Sequence, residues 1–248
     1  MDYTKEIGWL LEEKYQGKKT SKFLKEVLRL KGGEPLSYII GFVPFLGCKI
    51  DLSFRPLIPR AETEFWVEKA IAIIKKGGAR SNVRCLDIFA GSGCIGIAVL
   101  KHLPNSQVDF GEKDPVFVKQ IKRNLKTNNI SLAGGRVIKS DVFSAIHGKY
   151  DYIFANPPYI AVSRKRLVAK SVINFEPAQA LFAPDKGMFY IREFLQEAPK
   201  HLKENGIIFL EFDSWQKKEI EKVSKTLGYK HVSFLKDQYK KWRVAVIK

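Results

Sequence analysis

The chain has 248 residues, 45% of them hydrophobic, and its formal net charge is +17 at pH 7. A chain of this length can bury a good core, and its composition is that of a soluble globular protein with one large domain and a small attachment. It contains no apolar run as long as a membrane span and no signal-peptide core. We therefore expect a cytoplasmic protein without a membrane partner.

The positive charge is spread along the chain, with the largest excess in residues 161–248. Lysines on the solvated faces of amphipathic helices would account for such a distribution. Association with an acidic partner such as RNA or the ribosome would account for it equally well. Both interpretations stay open at this stage.

Three cysteines, Cys48, Cys85 and Cys94, lie far apart in the sequence. Zinc sites need closely spaced ligands, so we expect no metal site. The apolar or glycine-rich surroundings of Cys85 and Cys94 favour reduced thiols in the core.

Two small units are predicted ahead of the main domain. In residues 1–33, apolar side chains at helical spacing predict two short helices, and hence a small helical N-terminal lobe. The glycines and proline of residues 32–35 end the second helix. In residues 34–56, short alternating runs at 38–43 and 46–52 predict a β-hairpin that bridges the lobe and the main domain.

Strand and helix patterns alternate through residues 57–248, which predicts a doubly wound, Rossmann-like α/β domain. The first helix, at 65–76, has candidate core positions at Phe65, Val67, Ile71 and Ile74. Strands are expected near 83–89, 107–112, 136–139, 150–155, 206–212, 229–236 and 242–247, and helices near 94–102, 115–128, 187–203 and 215–227. Only residues 237–241 separate the last two strands, too few for a parallel crossover, so the final strand should run antiparallel.

A glycine-rich turn follows the first strand of this domain and opens a helix, from Asp87 to Gly96. Glycines such as Gly91 and Gly93 let the backbone approach a ligand and point free amides at it. A tight turn from strand to helix needs glycine in any case, so the turn is a weak signal by itself. Asp87, Gly91 and Gly93 are candidate cofactor-binding residues.

Two acidic residues at later strand ends strengthen the prediction of a nucleoside site. Glu112 ends the second strand, where an acidic group accepts hydrogen bonds from both hydroxyls of a ribose. Asp141, beside Val142 at the end of the third strand, can meet the edge of an adenine. The spacing alone leaves a dinucleotide and S-adenosylmethionine open as the ligand.

The fourth strand stops at Asn156-Pro157-Pro158-Tyr159, a rigid corner because prolines cannot continue a strand ladder. In an open α/β sheet this corner lies at the carboxyl edge, where ligands bind. The Asn156 side-chain oxygen and the Pro157 carbonyl are neighbouring acceptors that suit a planar NH2 group, and Tyr159 can cover its face. A plain Asn-Pro turn stiffened by Pro158 is the alternative.

Together these features are similar to class I methyltransferases with an amino-group acceptor, and more closely to the release-factor glutamine methyltransferases of the PrmC/HemK type. The segments that carry the resemblance are 34–41, 57–64, the glycine-rich turn, 156–160, 175–181, Gly187 and Tyr190. The Asn-Pro-Pro-Tyr corner occurs in many amino-methyltransferases. Segments 34–41, 57–64 and 175–181 together are much more restrictive.

The resemblance implies a class I methyltransferase sheet and S-adenosylmethionine as methyl donor, released as S-adenosylhomocysteine. The implied acceptor is the side-chain amide of the glutamine in the Gly-Gly-Gln loop of peptide chain release factors. Asn156, Pro157 and Tyr159 would be the catalytic residues, with Asn156 also beside the cofactor. Hydrogen bonds from the amide NH2 group to Asn156 and Pro157 would orient its nitrogen, and no general base is assigned.

The resemblance also places Arg60, Glu62 and Thr63, with Pro158, beside the acceptor. A helix-start role for Glu62 and Thr63 is as well supported locally. This sequence departs from the family at Ala61, where a second proline is usual, at Asp213, where a glycine is usual, and in having a shorter region before residue 34. We expect a monomer.

An adenine-N6 methyltransferase acting on RNA or DNA is the alternative activity, since the same corner could hold the amine of a flipped base. The net charge and Arg164-Lys165-Arg166 favour it. Segments 34–41 and 57–64 argue against it, as does the lack of a recognisable nucleic-acid module. A nucleoside-binding protein without chemistry is a third hypothesis, which the intact corner disfavours.

Overall fold

A computed structural model of the chain describes residues 3–77, 82–132 and 134–248. Its first helices, α1 (Thr4–Tyr15) and α2 (Ser21–Lys31), confirm the two short helices expected in the lobe. The Thr20 hydroxyl begins α2 by accepting a hydrogen bond from the Phe23 amide at 3.1 Å. Residues 1 and 2 of the expected lobe lie outside the described residues.

Residues 36–40 form a further helix, α3 (Leu36–Ile40), where we predicted a strand of the hairpin. That prediction was wrong because a short apolar run fits either a strand or a buried helix, and here it packs against the lobe. The side chains that form the lobe's hydrophobic cluster are Leu10, Phe23, Leu30 and Ile39. The boundary between lobe and bridge at residue 33 therefore stays a prediction.

Helix α4 (Ala61–Lys76) follows the hairpin strands β1 (Phe42–Phe45) and β2 (Cys48–Asp51), which pair antiparallel and confirm a shorter hairpin. The helix begins earlier than predicted and turns Trp66 into the core, where only 1% of it is exposed. Phe65 instead lies at the edge of the core, under the Lys69 ammonium. Val67, Ile71 and Ile74 are buried as predicted.

In chain order the remaining elements are β3 (Arg84–Ile88), α5 (Cys94–His102), β4 (Gln107–Glu112), α6 (Pro115–Thr127), β5 (Val137–Lys139), β6 (Tyr150–Ala155), β7 (Ile160–Ala161), α7 (Lys170–Phe175), β8 (Phe182–Ala183), α8 (Phe189–His201), β9 (Leu202–Glu211), α9 (Lys217–Thr226), β10 (Val232–Lys236) and β11 (Trp242–Ile247). Within the described residues, seven strands form one sheet in the order β10-β11-β9-β6-β3-β4-β5. Every neighbouring pair from β9 to β5 is parallel, whereas β11 is antiparallel to both β9 and β10. The doubly wound sheet with a final antiparallel strand is thus confirmed, and β10 runs in the same direction as β9.

Apolar side chains cover both faces of this sheet, one cluster including Trp66 and Phe154 and the other Phe194 and Phe212. All three cysteines are buried and free, as expected. The hairpin leans on α6 through side-chain amides: Asn124 Oδ1 accepts from the Asp51 amide at 2.7 Å. None of the helices among the described residues is long and apolar enough to cross a membrane.

Residues 156–183, between β6 and α8, form what we call the cap segment. Its two short strands, β7 and β8, pair in parallel, and the Ile160 amide donates to the Leu181 carbonyl at 3.0 Å. Short 3-10 turns and α7 fill the rest of the segment. The sequence analysis assigned no element to this stretch, because such short elements have no periodicity to detect.

Candidate active site

A cavity of about 410 Å³ opens at the carboxyl ends of β3, β4 and β6, the edge where the sequence predicts a ligand. Its walls come from the glycine-rich turn, the corner after β6, the cap segment and the residues that lead into α4. The predicted site residues among its lining are Arg60, Thr63, Gly91, Glu112, Asp141, Asn156 and Pro158. Five predicted residues, all described by the structure, are not part of the lining: Glu62, Asp87, Gly93, Pro157 and Tyr159.

The glycine-rich turn brings the backbone close to the cavity. The amides of Gly91 and Gly93 donate within the fold, to Glu112 and to the Ala90 carbonyl, so they are not free as the sequence predicted. Gly91, at φ +54°, and the first residues of α5, Cys94 and Ile95, are part of the lining. The amides of a helix N-terminus have no partner within the helix and carry a partial positive charge. Gly93 serves packing instead, since a Cβ there would lie 3.1 Å from Cγ2 of Ile121.

Asp87 lies beneath the turn and not in the cavity. Its Oδ2 accepts a hydrogen bond from the Gly96 amide at 2.9 Å, which satisfies one free amide of α5. Oδ1 has no partner among the described residues, and the side chain is 1% exposed. Burial raises the pKa of Asp87 to about 8.

Glu112 ends β4 at the cavity wall, as predicted. Its Oε2 accepts from the Gly91 amide at 2.7 Å, and its Oε1 accepts from the Asp114 amide at 2.8 Å. Burial raises its pKa. Each carboxylate oxygen has two lone pairs, so both oxygens keep acceptor capacity for hydroxyl groups in the cavity.

Asp141 lies at the rim of the cavity, beside a lysine that the sequence analysis did not single out. Lys113 Nζ lies 2.6 Å from Asp141 Oδ2, and the two side chains are 64% and 50% exposed. Hydrogen bonding to Asp141 raises the pKa of Lys113. The Asp141 carboxylate is accessible to a ligand, but it shares its charge with Lys113.

Aromatic side chains and one polar contact complete the walls. Phe89, which has a positive φ of +59°, packs edge to face on Tyr190 with ring centroids 6.1 Å apart. Gln179 of the cap segment donates to Asp114 Oδ2 at 2.7 Å, which joins the cap to the start of α6. Phe89, Tyr190 and Gln179 all lie in or beside segments that carry the family resemblance, but the sequence analysis named only Tyr190 individually.

Asn156 presents its side-chain amide to the cavity at the corner after β6. This amide makes no hydrogen bond with any residue that the structure describes. The amide is therefore available to a ligand, with Pro158 beside it on the cavity wall.

Glu211, at the end of β9, joins the corner to α4. Its carboxylate is 1% exposed and accepts three hydrogen bonds. The donors are Thr63 Oγ1 at 2.8 Å, Trp66 Nε1 at 2.7 Å and Tyr159 Oη at 2.9 Å. The Tyr159 side chain therefore points to Glu211 and does not cover the cavity as predicted. Thr63 donates to Glu211 and does not cap the helix.

The corner is also held from behind by Gln216. Its Nε2 donates to the carbonyls of Tyr159 and Gly187, each at 3.1 Å. Gly187, at φ +80°, must lack a side chain, because a Cβ would lie 2.1 Å from the Tyr159 oxygen. These contacts hold the corner against the turn after β9 and the residues that lead into α8.

Glu176 of the cap segment holds the residues that lead into α4. Its side chain is 1% exposed and accepts from the Ile58 amide at 3.0 Å and from Arg60 Nη2 at 2.7 Å. Arg60 is part of the cavity lining, and this ion pair holds its side chain in place. Glu62 lies in the first turn of α4, where its charge suits the helix dipole.

Asp213, the departure from the family pattern, stabilises the turn after β9. It forms a capping box with Gln216, whose Oε1 accepts from the Asp213 amide at 2.9 Å. Its carboxylate also pairs with Arg164 of the cap segment at 3.2 Å. The local turn therefore forms without the glycine.

Sequence comparisons agree with this geometry. The release factor glutamine methyltransferase of Streptococcus pneumoniae is 33% identical over 96% of this chain and 83% of its own length. That of Thermodesulfovibrio yellowstonii is 34% identical over 82% of this chain and 72% of its own length. The chain belongs to the release factor glutamine methyltransferase family. A family model, the methyltransferase small domain, also matches residues 72–185.

Solved structures support the fold of this family member. A methyltransferase from Pyrococcus furiosus covers 92% of this chain with a TM-score of 0.58 and 20% identity, over 98% of its own chain. The T. thermophilus 16S rRNA N2 G1207 methyltransferase, solved with AdoMet and guanosine, has a TM-score of 0.58 at 17% identity and covers 84% of this chain and 49% of its own. At such identities these similarities speak for the class I methyltransferase fold alone.

Proposed function

We propose that the protein transfers a methyl group from S-adenosylmethionine to the side-chain amide nitrogen of the glutamine in the Gly-Gly-Gln loop of a peptide chain release factor. The unpartnered amide of Asn156 in the cavity carries the proposal, because it offers a hydrogen-bond acceptor beside a nucleoside-type pocket. Membership of the release factor glutamine methyltransferase family supports the choice of acceptor.

The residues around the cavity fit S-adenosylmethionine, which supplies an electrophilic methyl group when bound. Glu112 keeps lone pairs for the ribose hydroxyls, and Asp141 is accessible at the rim for the adenine edge. Because Gly91 has no side chain, the backbone of its turn can approach the rest of the ligand closely. Asp87 and Gly93 act indirectly, by fixing the start of α5.

The corner residues orient the acceptor amide. An amide nitrogen is a poor nucleophile because its lone pair is delocalised into the carbonyl, so the site must position it. Asn156 Oδ1 accepts one hydrogen of the NH2 group and favours positive charge on its nitrogen. In this proposal the acceptor reaches past the cavity lining to donate its second hydrogen to the Pro157 carbonyl. No general base is assigned, since the nitrogen becomes acidic as the new bond forms and its proton can leave to water.

Arg60, Thr63, Pro158 and Tyr159 shape the acceptor side. Arg60 and Pro158 line the cavity. The hydroxyl groups of Thr63 and Tyr159 both donate to the buried carboxylate of Glu211, which fixes the start of α4 relative to the corner. Glu62, outside the lining, contributes to the start of α4. We propose the same three units as in the sequence analysis: residues 1–33 as a small helical N-terminal lobe, residues 34–56 as a β-hairpin bridge and residues 57–248 as the class I methyltransferase domain.

We further propose that the protein acts in the cytoplasm as a monomer. Its protein partner is the release factor, and its net charge of +17 favours association with RNA or the ribosome. Translation termination takes place on the ribosome, so such an association would concentrate the enzyme near its substrate.

One experiment tests the acceptor directly. Labelled S-adenosylmethionine is offered in parallel to a release factor, to its variant with the Gly-Gly-Gln glutamine replaced, and to a mixed tRNA and rRNA pool. We expect label in the intact factor alone. Label in the RNA and none in the factor would replace the proposal with the adenine-N6 activity.

A further inference from the structure

A row of basic and aromatic side chains leads away from the acceptor corner along the carboxyl edge of the sheet. The residues of this basic–aromatic track are Arg164, Trp215, Lys217, Lys236 and Trp242. Because β10 runs in the same direction as β6 and β9, its last residue, Lys236, lies at the same edge as Asn156 and Glu211. We propose that this track binds single-stranded RNA.

The track consists of two groups of contacting side chains, which the chain joins from Trp215 to Lys217. The Arg164 guanidinium lies 5.5 Å from the ring of Trp215, whose side chain is 41% exposed. Lys217 lies two residues after Trp215, at the start of α9. Its ammonium is 4.1 Å from the centre of the Trp242 ring. Lys236 lies 4.8 Å from the same ring. Two ammonium groups thus share one indole.

Of the three basic residues in the track, Arg164 pairs with Asp213, whereas the two lysines keep their charge. Among the described residues, Lys217 and Lys236 form no ion pair. The acids close to these lysines in the sequence pair with other basic residues: Asp213 with Arg164, Glu219 with Arg192, Glu221 with Lys225 and Asp237 with Arg243. A polyanion therefore meets an excess of positive charge along this edge.

The aromatic rings favour RNA over an acidic protein surface. Proteins that bind single strands combine a basic groove for phosphates with aromatic faces on which bases stack. Trp215 is 41% exposed and offers such a face, whereas an acidic protein surface would need only the lysines. The inference depends on the proposed function only in that the track begins at the proposed acceptor corner.

Fluorescence anisotropy of the full chain with a labelled oligouridylate strand, without a methyl donor, tests the track independently of methyl transfer. The double variant Lys217→Ala/Lys236→Ala should raise the Kd about tenfold and lower the salt slope by about 1.4, the loss of two phosphate contacts. Trp215→Ala should raise the Kd at least about fivefold, whereas Trp215→Phe keeps a stacking face and much of the affinity.

The matched control is Lys18→Ala/Lys19→Ala. It makes the same charge change at two exposed positions between α1 and α2, distant from the track in the sequence. We expect its Kd to stay within about twofold of the wild type. An equal loss in this control would reduce the interaction to a diffuse field and overturn the track. Unchanged binding in Trp215→Ala, with poly-glutamate competing as well as RNA, would identify an acidic protein as the partner instead.

Discussion

Replacing Asn156 by alanine should separate catalysis from cofactor binding. The side chain has no partner within the described fold, so its loss should leave the fold intact while removing an acceptor that orients the reacting nitrogen. Losing one preorganised hydrogen bond of this kind costs about 100-fold or more in turnover. Single-turnover transfer to a release factor and calorimetric S-adenosylmethionine binding measure the two effects.

Asn128 provides the control for this substitution. Its side chain bonds the backbone of Lys49 on the surface, through Oδ1 at 2.8 Å and Nδ2 at 2.9 Å, away from the cavity. Asn128→Ala should therefore keep full turnover. Unchanged turnover in Asn156→Ala would remove the corner from the mechanism.

Asp87 should make the protein less stable as the pH rises. Its pKa is about 8 in the fold against an ordinary value of 3.8, so between these values the folded state holds a proton that the unfolded state has released. The free energy of unfolding then falls with rising pH, by up to about 1.4 kcal/mol per pH unit. Urea denaturation at pH 5, 6 and 7 measures this slope.

Asp87→Asn tests the origin of the slope. The variant keeps an acceptor for the Gly96 amide and cannot ionise, so its unfolding free energy should fall less steeply between pH 5 and 7. The comparison uses the slope and not the absolute stability, because the carboxamide also changes the buried hydrogen bonds. Equal slopes in both proteins would show that Asp87 is ionised in the fold.

The positions of functional residues at strand ends could be predicted where they depend only on the strand that carries the residue. Glu112, Asp141 and Asn156 each follow an apolar strand, and parallel strands bring such ends to one edge. Glu211 could not be assigned a role, since its partner Thr63 lies 148 positions away and only the fold joins them. The one sign of its role in the sequence was an acidic residue at the end of the apolar strand β9.

At the scale of elements, Glu211 links α4, β9 and the corner. In Glu211→Gln an NH2 group replaces one acceptor oxygen and faces hydroxyl or indole donors, which leaves at least one buried donor unmatched. The free energy of unfolding should fall by about 1–3 kcal/mol. Turnover should fall as well, with S-adenosylmethionine affinity largely retained, because the acceptor walls move and the Glu112 wall does not.

Glu204→Gln is the control on the same strand. Glu204 is exposed near the start of β9 and forms no ion pair among the described residues. Denaturation and steady-state kinetics of the two variants should differ clearly. A Glu211→Gln enzyme as stable and active as Glu204→Gln would show that the three hydrogen bonds do not hold the site.

Elements of the main sheet were predictable because buried strands and amphipathic helices carry strong periodic signals. The predicted and observed bounds of β4 and β11 coincide, at 107–112 and 242–247. The failures were α3 and the cap segment, whose short pieces depend on contacts made elsewhere. Glu176, for example, binds the Ile58 amide 118 positions away.

For the whole molecule, the sheet brings the proposed cofactor, acceptor and RNA-binding regions to one edge. The ends of β3 and β4 line the part of the cavity proposed for the cofactor, the corner after β6 lines the part proposed for the acceptor, and β9 to β11 continue outward. This order follows from the parallel strands, since each carboxyl end adds its residue to the same side. The antiparallel β11 contributes its first residue there, Trp242, paired with Lys236.

The attachment of the lobe can be tested at Glu34. Arg29 donates twice to its carboxylate, from Nε and Nη2 at 2.8 Å each, and Arg55 donates once at 3.0 Å. The hydrogen bonds from Arg29 lower the pKa of Glu34, so this contribution to stability is present above the ordinary value of 4.5 and is lost as the pH falls. Both arginines are partly exposed, which limits the contribution to about 1 kcal/mol.

Glu34→Gln should therefore loosen the lobe and leave the sheet unchanged. At neutral pH we expect amide hydrogen exchange in α1 to α3 to become about fivefold faster, while exchange in β3 and β6 stays at the wild-type rate. Glu12→Gln, an exposed position on α1, makes the same charge change without an ion pair and should exchange like the wild type. Uniform acceleration in the lobe and the sheet of Glu34→Gln would mean that they unfold as one unit, and the 1–33 boundary would then not mark a separate lobe.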